Sequence, residues 1–256
     1  MSISLEGKTY VIMGVANKRS IAWGIARSLD QSGARLIFTY AGERFEKSVR
    51  DLVATLEGKH EIILPCDVTD DESVENCFSS IKEQAGAIDG LAHCIAFAKT
   101  EELAGNFSDT SRDGFLLAQN ISSYSLTIIA RHAKPLMTEG GSIIALTYIG
   151  GERVMPNYNV MGVAKASLEM SVRYLAADLG RQGIRVNAIS SGPIRTLSSK
   201  GVSDFNSILH EIEEKAPLHR NTTPEEVGDT AVFLFSSMSR GITGETIHVD
   251  SGYHIL

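Results

Sequence analysis

Short apolar runs alternate with amphipathic segments along the whole chain, and this alternation is typical of a single α/β domain. The first run, Thr9–Met13, predicts a strand buried on both faces, and a helical stripe of apolar residues begins at Ile21. Further strands are predicted at residues 35–40, 61–66, 90–95, 143–147, 184–189 and 246–249. We therefore expect one domain that covers residues 1–256.

The segments between the strands predict helices, with one exception. A long helix is predicted within residues 111–137, and another continues through an apolar stripe to Leu179. On other faces of this second helix, Ala164, Ala176 and Ala177 have small side chains, which indicates close packing against another helix. Residues 197–217 are polar and mixed, with one amphipathic piece, and we interpret them as a mobile lid over the substrate.

Charge and composition exclude several classes of partner. The chain of 256 residues has a formal net charge of -7 and no stripe of basic residues, which argues against nucleic acid or an anionic membrane. Neither a signal-like start nor a long uncharged apolar run occurs, so we expect a cytoplasmic protein without membrane insertion. The three cysteines lack metal-binding spacing, so we expect reduced thiols and no metal site.

The candidate chemistry lies just after the strand at residues 143–147. Tyr158 and Lys165 are seven positions apart, which places both side chains on one face of a helix to within ~20°. An ammonium group beside a phenol lowers the pKa of the phenol and makes it a better donor to an oxygen that gains negative charge. An open α/β sheet binds its ligands at this end of the strands, so we expect an active site here.

The loop after the first strand is a candidate phosphate site. Gly14 lets the backbone approach a pyrophosphate, and Ser20 offers a hydroxyl and an amide at a helix N-terminus, where the dipole favours anions. The spacing differs from Gly-x-Gly-x-x-Gly, so the loop alone is equally consistent with an ordinary strand-to-helix turn.

Two further positions bear on a dinucleotide. No acidic or basic residue stands directly after Tyr40, which favours NADH over NADPH, although Arg44 lies close enough in sequence to reach a 2′-phosphate. Asp67 is placed to contact an adenine amino group while Val68 covers the ring. Asp67 or Asp70 would serve equally well as the cap of the next helix, so both interpretations stay open.

Taken together, these motifs resemble the short-chain dehydrogenase/reductases over the whole chain, and within them the divergent branch of bacterial enoyl-acyl-carrier-protein reductases. In the common family pattern the lysine follows the tyrosine by four residues and a serine precedes the tyrosine by thirteen. Here the lysine follows by seven, and Ala145 occupies the serine position. Both departures point to the enoyl reductase branch. The segments that carry the resemblance are residues 14–24, 66–68, 93–98, 148–165 and 191–197.

The resemblance implies a fold, a reaction and a set of site residues. The fold is a Rossmann-type doubly wound domain with seven parallel strands, and the reaction is hydride transfer from NADH to C3 of a trans-2-enoyl thioester, with Tyr158 stabilising the enolate. Acyl carrier protein would deliver the substrate, and the family is usually tetrameric. The implied residues are Tyr158, Lys165 and Tyr148 for catalysis; Gly14, Ser20, Ile21, Asp67, Val68, Ile95, Lys165, Ile194 and Thr196 for the cofactor; and Ala98, Tyr148 and Tyr158 for the substrate.

Two other functions remain open at this point. The same fold serves carbonyl reductases that act on 3-oxoacyl groups, and the absence of a serine at Ala145 counts against that function. A dinucleotide-sensing protein without turnover would keep the loop but lose the phenol or the ammonium group, and the presence of Tyr158 and Lys165 counts against it.

Overall fold

The computed structural model describes residues 3–58, 60–196, 198–201 and 204–256 of the chain. The strands are β1 (Thr9–Met13), β2 (Arg35–Tyr40), β3 (Ile63–Pro65), β4 (Gly90–His93), β5 (Gly141–Thr147), β6 (Ile184–Ser191) and β7 (Thr246–Val249). The helices are α1 (Ile21–Gln31), α2 (Glu43–Val53), α3 (Asp71–Ala85), α4 (Arg112–Gln119), α5 (Ser125–Ala133), α6 (Asn159–Leu179), α7 (Phe205–Lys215) and α8 (Pro224–Phe235).

All seven strands found in these residues pair in parallel within one sheet, in the order β3-β2-β1-β4-β5-β6-β7. The expected doubly wound fold is therefore confirmed. In the part of the chain that the structure describes, each helix is too short or too polar to cross a bilayer.

Alternate residues of β1 show how the sheet is covered on both faces. Val11 and Met13 belong to the apolar cluster under α3, α5 and α6, whereas Tyr10 and Ile12 belong to the cluster under α1, α2 and α8. Because successive side chains of a strand point to opposite faces, a strand covered on both sides must be apolar at nearly every position. Because of this requirement, the short apolar run Thr9–Met13 was enough to predict a central strand.

The chain winds in opposite directions from β1, to β2 on one side and β4 on the other. The loops after β1 and β4 therefore lie together at the carboxyl edge, where open α/β sheets bind their ligands. Gly14 has φ +90°, and a side chain there would collide with the backbone carbonyl of Cys94. The need for glycine thus arises from close contact between these two loops, and not from the phosphate approach alone.

Five predicted elements differ from the structure, and two of them, β5 and β6, differ only by two further residues at one end. β3 is an edge strand of three residues, with Pro65 at its end, and β4 ends at His93 because its chain turns away at the carboxyl edge. The long helix of residues 111–137 is broken into α4 and α5 by a π-helical turn at Asn120–Tyr124. Such turns are frequent at functional sites.

The alanines of α6 do not form one exposed face. Ala164 and Ala176 are buried inside the chain, where α6 packs on α4, α5 and the π-turn, while Ala177 is exposed. The predicted close packing of α6 against other helices is therefore confirmed. These two alanines are already covered and offer no surface to a second subunit.

Candidate active site

Tyr158 lies immediately before α6, as its N-cap residue, and not within the helix as the spacing argument assumed. Its carbonyl accepts bonds from the amides of Met161 at 2.8 Å and Gly162 at 3.3 Å. The neighbours Asn157 and Asn159 have φ values of 57° and 24°, which residues other than glycine seldom adopt. Backbone strain thus concentrates on both sides of this tyrosine.

The side chain of Asn159 fixes this strained segment to the loop after β4. Its Nδ2 donates to the carbonyls of Ala104 at 3.3 Å and Gly105 at 3.2 Å. Sequence reasoning missed this contact, because an asparagine next to a tyrosine carries no signal of which loop it will meet.

Tyr148 and Tyr158 pack edge to face, with ring centroids 4.9 Å apart and planes at 69°. A Cβ atom on Gly150 would lie 2.5 Å from Cδ1 of Tyr158. The absence of a side chain at residue 150 is therefore what lets the Tyr158 ring approach the turn after β5. The two phenols that the sequence singled out do share one site.

Lys165 is 5% exposed, and its Nζ donates to the carbonyl of Leu146 at 2.7 Å. Burial lowers its pKa to about 8, because a charge loses hydration when it leaves water. The bond ties the first turns of α6 to the carboxyl end of β5, one residue before Thr147 and two before Tyr148.

The pKa of Tyr158 moves in the direction opposite to our expectation. Burial raises the pKa of this phenol, and the neighbouring Tyr148 and Glu169 raise it further by adding negative charge nearby. We expected Lys165 to lower it, but the loss of hydration of the phenolate on burial raises it instead. Tyr158 is therefore a neutral phenol at physiological pH and can donate a hydrogen bond.

The loop between β1 and α1 fits an anionic group. The Oγ of Ser20 accepts from the amides of Ala16 and Asn17, each at 3.1 Å, so its own proton is left to donate. The first amides of α1, beginning at Ile21, have no partner within the helix and carry the positive end of its dipole. A pyrophosphate matches these donors.

The alternatives for Asp67 are resolved in part. Asp70 caps α3 by accepting from the amide of Glu72 at 3.1 Å. Asp67 instead accepts from the amide and hydroxyl of Thr69, at 2.9 and 2.7 Å, and stays exposed beside buried Val68. Asp67 is thus excluded as the helix cap, and its contact with adenine stays a prediction.

The segment after β4 forms a floor next to Tyr158. Ile95 packs on the cluster under α3, α5 and α6, whereas Ala98 and Tyr158 pack on one small cluster that includes Val160. The structure therefore brings Ala98 and Tyr158 together, as the substrate assignment requires.

Ser122 of the π-turn holds this floor and was missed from the sequence. Its buried hydroxyl accepts from the amide of Phe97 at 2.9 Å and donates to the carbonyl of the same residue at 3.0 Å. The neighbouring Ser123 donates to Ser167 of α6 at 2.8 Å. Two adjacent serines in a helix with an apolar stripe were the available signal.

Ile194 and Thr196 follow β6 at the same edge of the sheet. Ile194 is buried, and a cavity of about 320 Å³ lies between it and α7. The hydroxyl of Thr196 accepts from the amide of Ser199 at 3.1 Å, and the amide of Thr196 donates to the Ser199 hydroxyl at 2.9 Å. This reciprocal pair fixes the turn that would face a carboxamide.

Comparison with known proteins places these residues in a family context. A family model described as Enoyl-(Acyl carrier protein) reductase matches residues 14–254. The chain is 73% identical to the enoyl-acyl-carrier-protein reductase (NADH) of Bacillus subtilis, covering 100% of this chain and 99% of that protein. It is 61% identical to the corresponding NADPH enzyme of Staphylococcus aureus, covering 99% of each.

A solved structure agrees with the sequence comparisons. The Bacillus cereus enoyl-acyl-carrier-protein reductase, crystallised with NADP+ and indole naphthyridinone, superposes with a TM-score of 0.98 at 72% identity and 99% coverage of both chains. At this similarity the backbone of the candidate site follows that of a chain with a cofactor bound.

The packing of Tyr158 on Gly150 gives a first prediction. Gly150→Ala should displace the Tyr158 ring, change the near-ultraviolet circular dichroism of the tyrosine pair and lower the free energy of unfolding by about 1–3 kcal/mol, the usual cost of overpacking. Urea unfolding measures the loss. Gly180→Ala is the control, because a Cβ there meets nothing within 4 Å. Equal behaviour of the two variants would contradict the proposed contact.

Proposed function

This chain belongs to the enoyl-(acyl carrier protein) reductase family, and we propose that Tyr158 stabilises the enolate when the site reduces the trans-2 double bond of enoyl thioesters in fatty acid synthesis. The observation that carries this assignment is the neutral phenol of Tyr158, packed on Tyr148 at the carboxyl edge of the sheet. Acyl carrier protein presents the substrate, in keeping with the family and with the names of the relatives.

The residues at the carboxyl edge fit a nicotinamide dinucleotide. Ser20 and Ile21, after Gly14, offer donors to a pyrophosphate; Asp67 and Val68 lie where an adenine would be held. Ile95, Ile194 and Thr196 would line the nicotinamide end, with Lys165 on its ribose hydroxyls. When bound, NADH supplies the hydride that reaches C3 of the substrate.

Tyr158 acts on the other end of the conjugated system. Its phenol donates a hydrogen bond to the thioester oxygen, where negative charge accumulates as the enolate forms. One well-placed donor of this kind is typically worth ~3 to 4 kcal/mol in the barrier. The ring of Tyr148 limits the positions open to Tyr158, and the Tyr148 hydroxyl is the second candidate donor to the thioester oxygen.

NADH is the cofactor that the end of β2 favours. The hydroxyl of Tyr40 bonds to Glu46, which also pairs with Arg50 at 2.8 Å, so Arg50 is already engaged by a carboxylate near the end of β2. The guanidinium carbon of Arg44 lies 4.7 Å from the ring centroid of Phe45. This cation–π contact engages the first basic side chain after β2. The relatives include both NADH and NADPH enzymes, and residues 40–46 are where we expect the preference to be set.

The two alternatives have weaker support. A 3-oxoacyl reductase would use a serine where buried Ala145 stands, and no hydroxyl can be offered from that position. A non-catalytic sensor has no need for a strained backbone around a buried phenol.

We also propose that the chain works as a homotetramer in the cytoplasm. The support is an exposed groove of about 830 Å³ along α5 and α6, which includes Met170 and Tyr174, the latter 74% exposed. Exposed apolar side chains such as these two are a usual feature of subunit interfaces. All three cysteines are free thiols, as expected of a reducing compartment.

The lid over the substrate remains a proposal for residues 197–217. Residues 197, 202 and 203 lie outside the described part of the chain. In the rest, α7 buries Leu209 and Ile212 and covers the cavity beside Ile194. Only a few side chains therefore hold α7 down, which suits a segment that opens and closes.

The roles of the tyrosine and the lysine can be separated by mutation. Tyr158→Phe should lower turnover of crotonyl thioester about 100- to 1,000-fold and leave NADH binding nearly intact, because only the donor to the thioester is removed. Lys165→Ala should raise the dissociation constant for NADH as well as slow turnover. Loss of NADH absorbance gives the rates, and NADH fluorescence gives the binding.

Tyr148→Phe is the matched control for these two variants. We expect a smaller loss than for Tyr158→Phe with the same thioester. A larger loss would assign the enolate to Tyr148 instead. An unmutated protein without activity on any enoyl thioester would overturn the proposed function.

Cofactor preference gives a further prediction. Catalytic efficiency should be higher with NADH than with NADPH, and Arg44→Ala should leave this ratio unchanged. Lys47→Ala, an exposed change in the same helix, controls for a general loss of positive charge. Comparable efficiency with NADPH that disappears in Arg44→Ala would show that Arg44 binds the 2′-phosphate.

Hydrogen exchange tests the lid. Amides of α7 should exchange quickly in the free protein and become protected when both cofactor and an acyl ligand are present, because closure buries them. The amides of α8 serve as the reference, since its capping box and buried face do not depend on ligand. Equal protection of α7 in both states would remove the lid proposal.

A further inference from the structure

A second charged residue is buried beside Lys165 and has no role in the mechanism above. Glu169 lies one helical turn after Lys165 on α6 and is 6% exposed, against 5% for the lysine. Carboxylates and ammonium groups are almost never this deeply buried unless each balances another charge. The two residues therefore call for a joint explanation.

Glu169 is held in place from the sheet. The hydroxyl of Thr147, the last residue of β5, donates to its Oε1 at 2.6 Å. The preceding residue of the same strand, Leu146, supplies the carbonyl that accepts from Lys165. Adjacent residues of one strand thus orient an anion and a cation on adjacent turns of one helix.

We propose that Glu169 is a positioning residue that supplies the buried negative charge needed to keep Lys165 in its ammonium form. The inference rests on the proposed function, since it assigns Lys165 a task in that reaction. Glu169 lies outside the pair formed by Tyr158 and Lys165, and it acts only through Lys165.

The other titratable groups around Lys165 are neutral. His93 and Cys94 face it from the end of β4; burial lowers the pKa of His93 to about 3 and raises the pKa of Cys94 to about 12. Tyr158 is neutral because burial raises its pKa. Cys94 and Glu169 are the groups whose negative charge would raise the pKa of Lys165, and of these two the carboxyl group ionises more readily. Burial raises the pKa of Glu169, and the hydrogen bond from Thr147 opposes that change.

Glu169 has two charged neighbours of its own, and both are exposed. Glu152, in the turn after β5, accepts from His248 at 2.7 Å, and Arg173 lies one turn further along α6. Water screens these two charges far more than it screens a buried pair. They modulate Glu169 but cannot replace it beside Lys165.

The direction of the pH effect follows from these contacts. Burial lowers the pKa of Lys165 to about 8, and the charge of Glu169 opposes that change. Without Glu169 the lysine would lose its proton at lower pH. Activity that needs the ammonium group would then fall at a lower pH, while activity under acidic conditions would be retained.

Three variants test the proposal through the pH profile of turnover between pH 6 and 9. Glu169→Gln should move the alkaline limb down by about one pH unit, so that turnover at pH 8 falls about fivefold and turnover at pH 6 changes little. Glu169→Asp keeps the charge and should restore much of the limb. Thr147→Val removes the hydrogen bond that lowers the pKa of Glu169 but keeps the carboxyl group, so its limb should move less than that of Glu169→Gln.

The outcomes separate charge from structure. A limb that does not move in Glu169→Gln, or a loss that is uniform across pH and shared by Thr147→Val, would overturn the proposal and leave Glu169 a structural residue. The pH dependence of NADH binding gives a second readout, because the same ammonium group should hold the ribose. An inactive unmutated protein would instead contradict the proposed function, so the two failures are distinguishable.

Discussion

The burial of one ammonium group constrains the whole carboxyl edge of the sheet. Lys165 is buried where a carbonyl at the end of β5 accepts its hydrogen bond and a carboxylate lies one helical turn away. Those contacts fix where α6 starts. The start of α6 in turn fixes Tyr158, whose flanking residues take up the remaining backbone strain.

Much of the fold was predictable because its signals are local. The bounds of β1, β2 and β7 match the sequence prediction, and β1 and β2 were clear because strands covered on both faces are apolar at nearly every position. The start of α8 was equally clear, because Thr223 and Glu226 form a capping box around a proline at the first turn.

The incorrect predictions all concern quantities that depend on distant residues. The pKa of Tyr158 follows from how deeply the ring is buried, and helical spacing carries no information on depth. The ends of β3 and β4 follow from pairing with neighbouring strands that are distant in sequence. The identity of the site residues was predictable from family motifs, whereas their supporting contacts were not.

The π-turn shows how such contacts arise. The Ser125 hydroxyl donates to the carbonyl of Ile121 at 2.6 Å and is itself bonded to His93 at 2.8 Å, so the irregular turn is tied to the end of β4. Ser122 and Ser123 then reach the floor and α6. The contact of Gly14 with the Cys94 carbonyl joins the loop after β1 to this same floor. For the design of chimaeras between relatives, the loops after β1 and β4 are thus a single module: a crossover that separates them would combine two backbones never fitted to each other, even if every cofactor and substrate residue were kept.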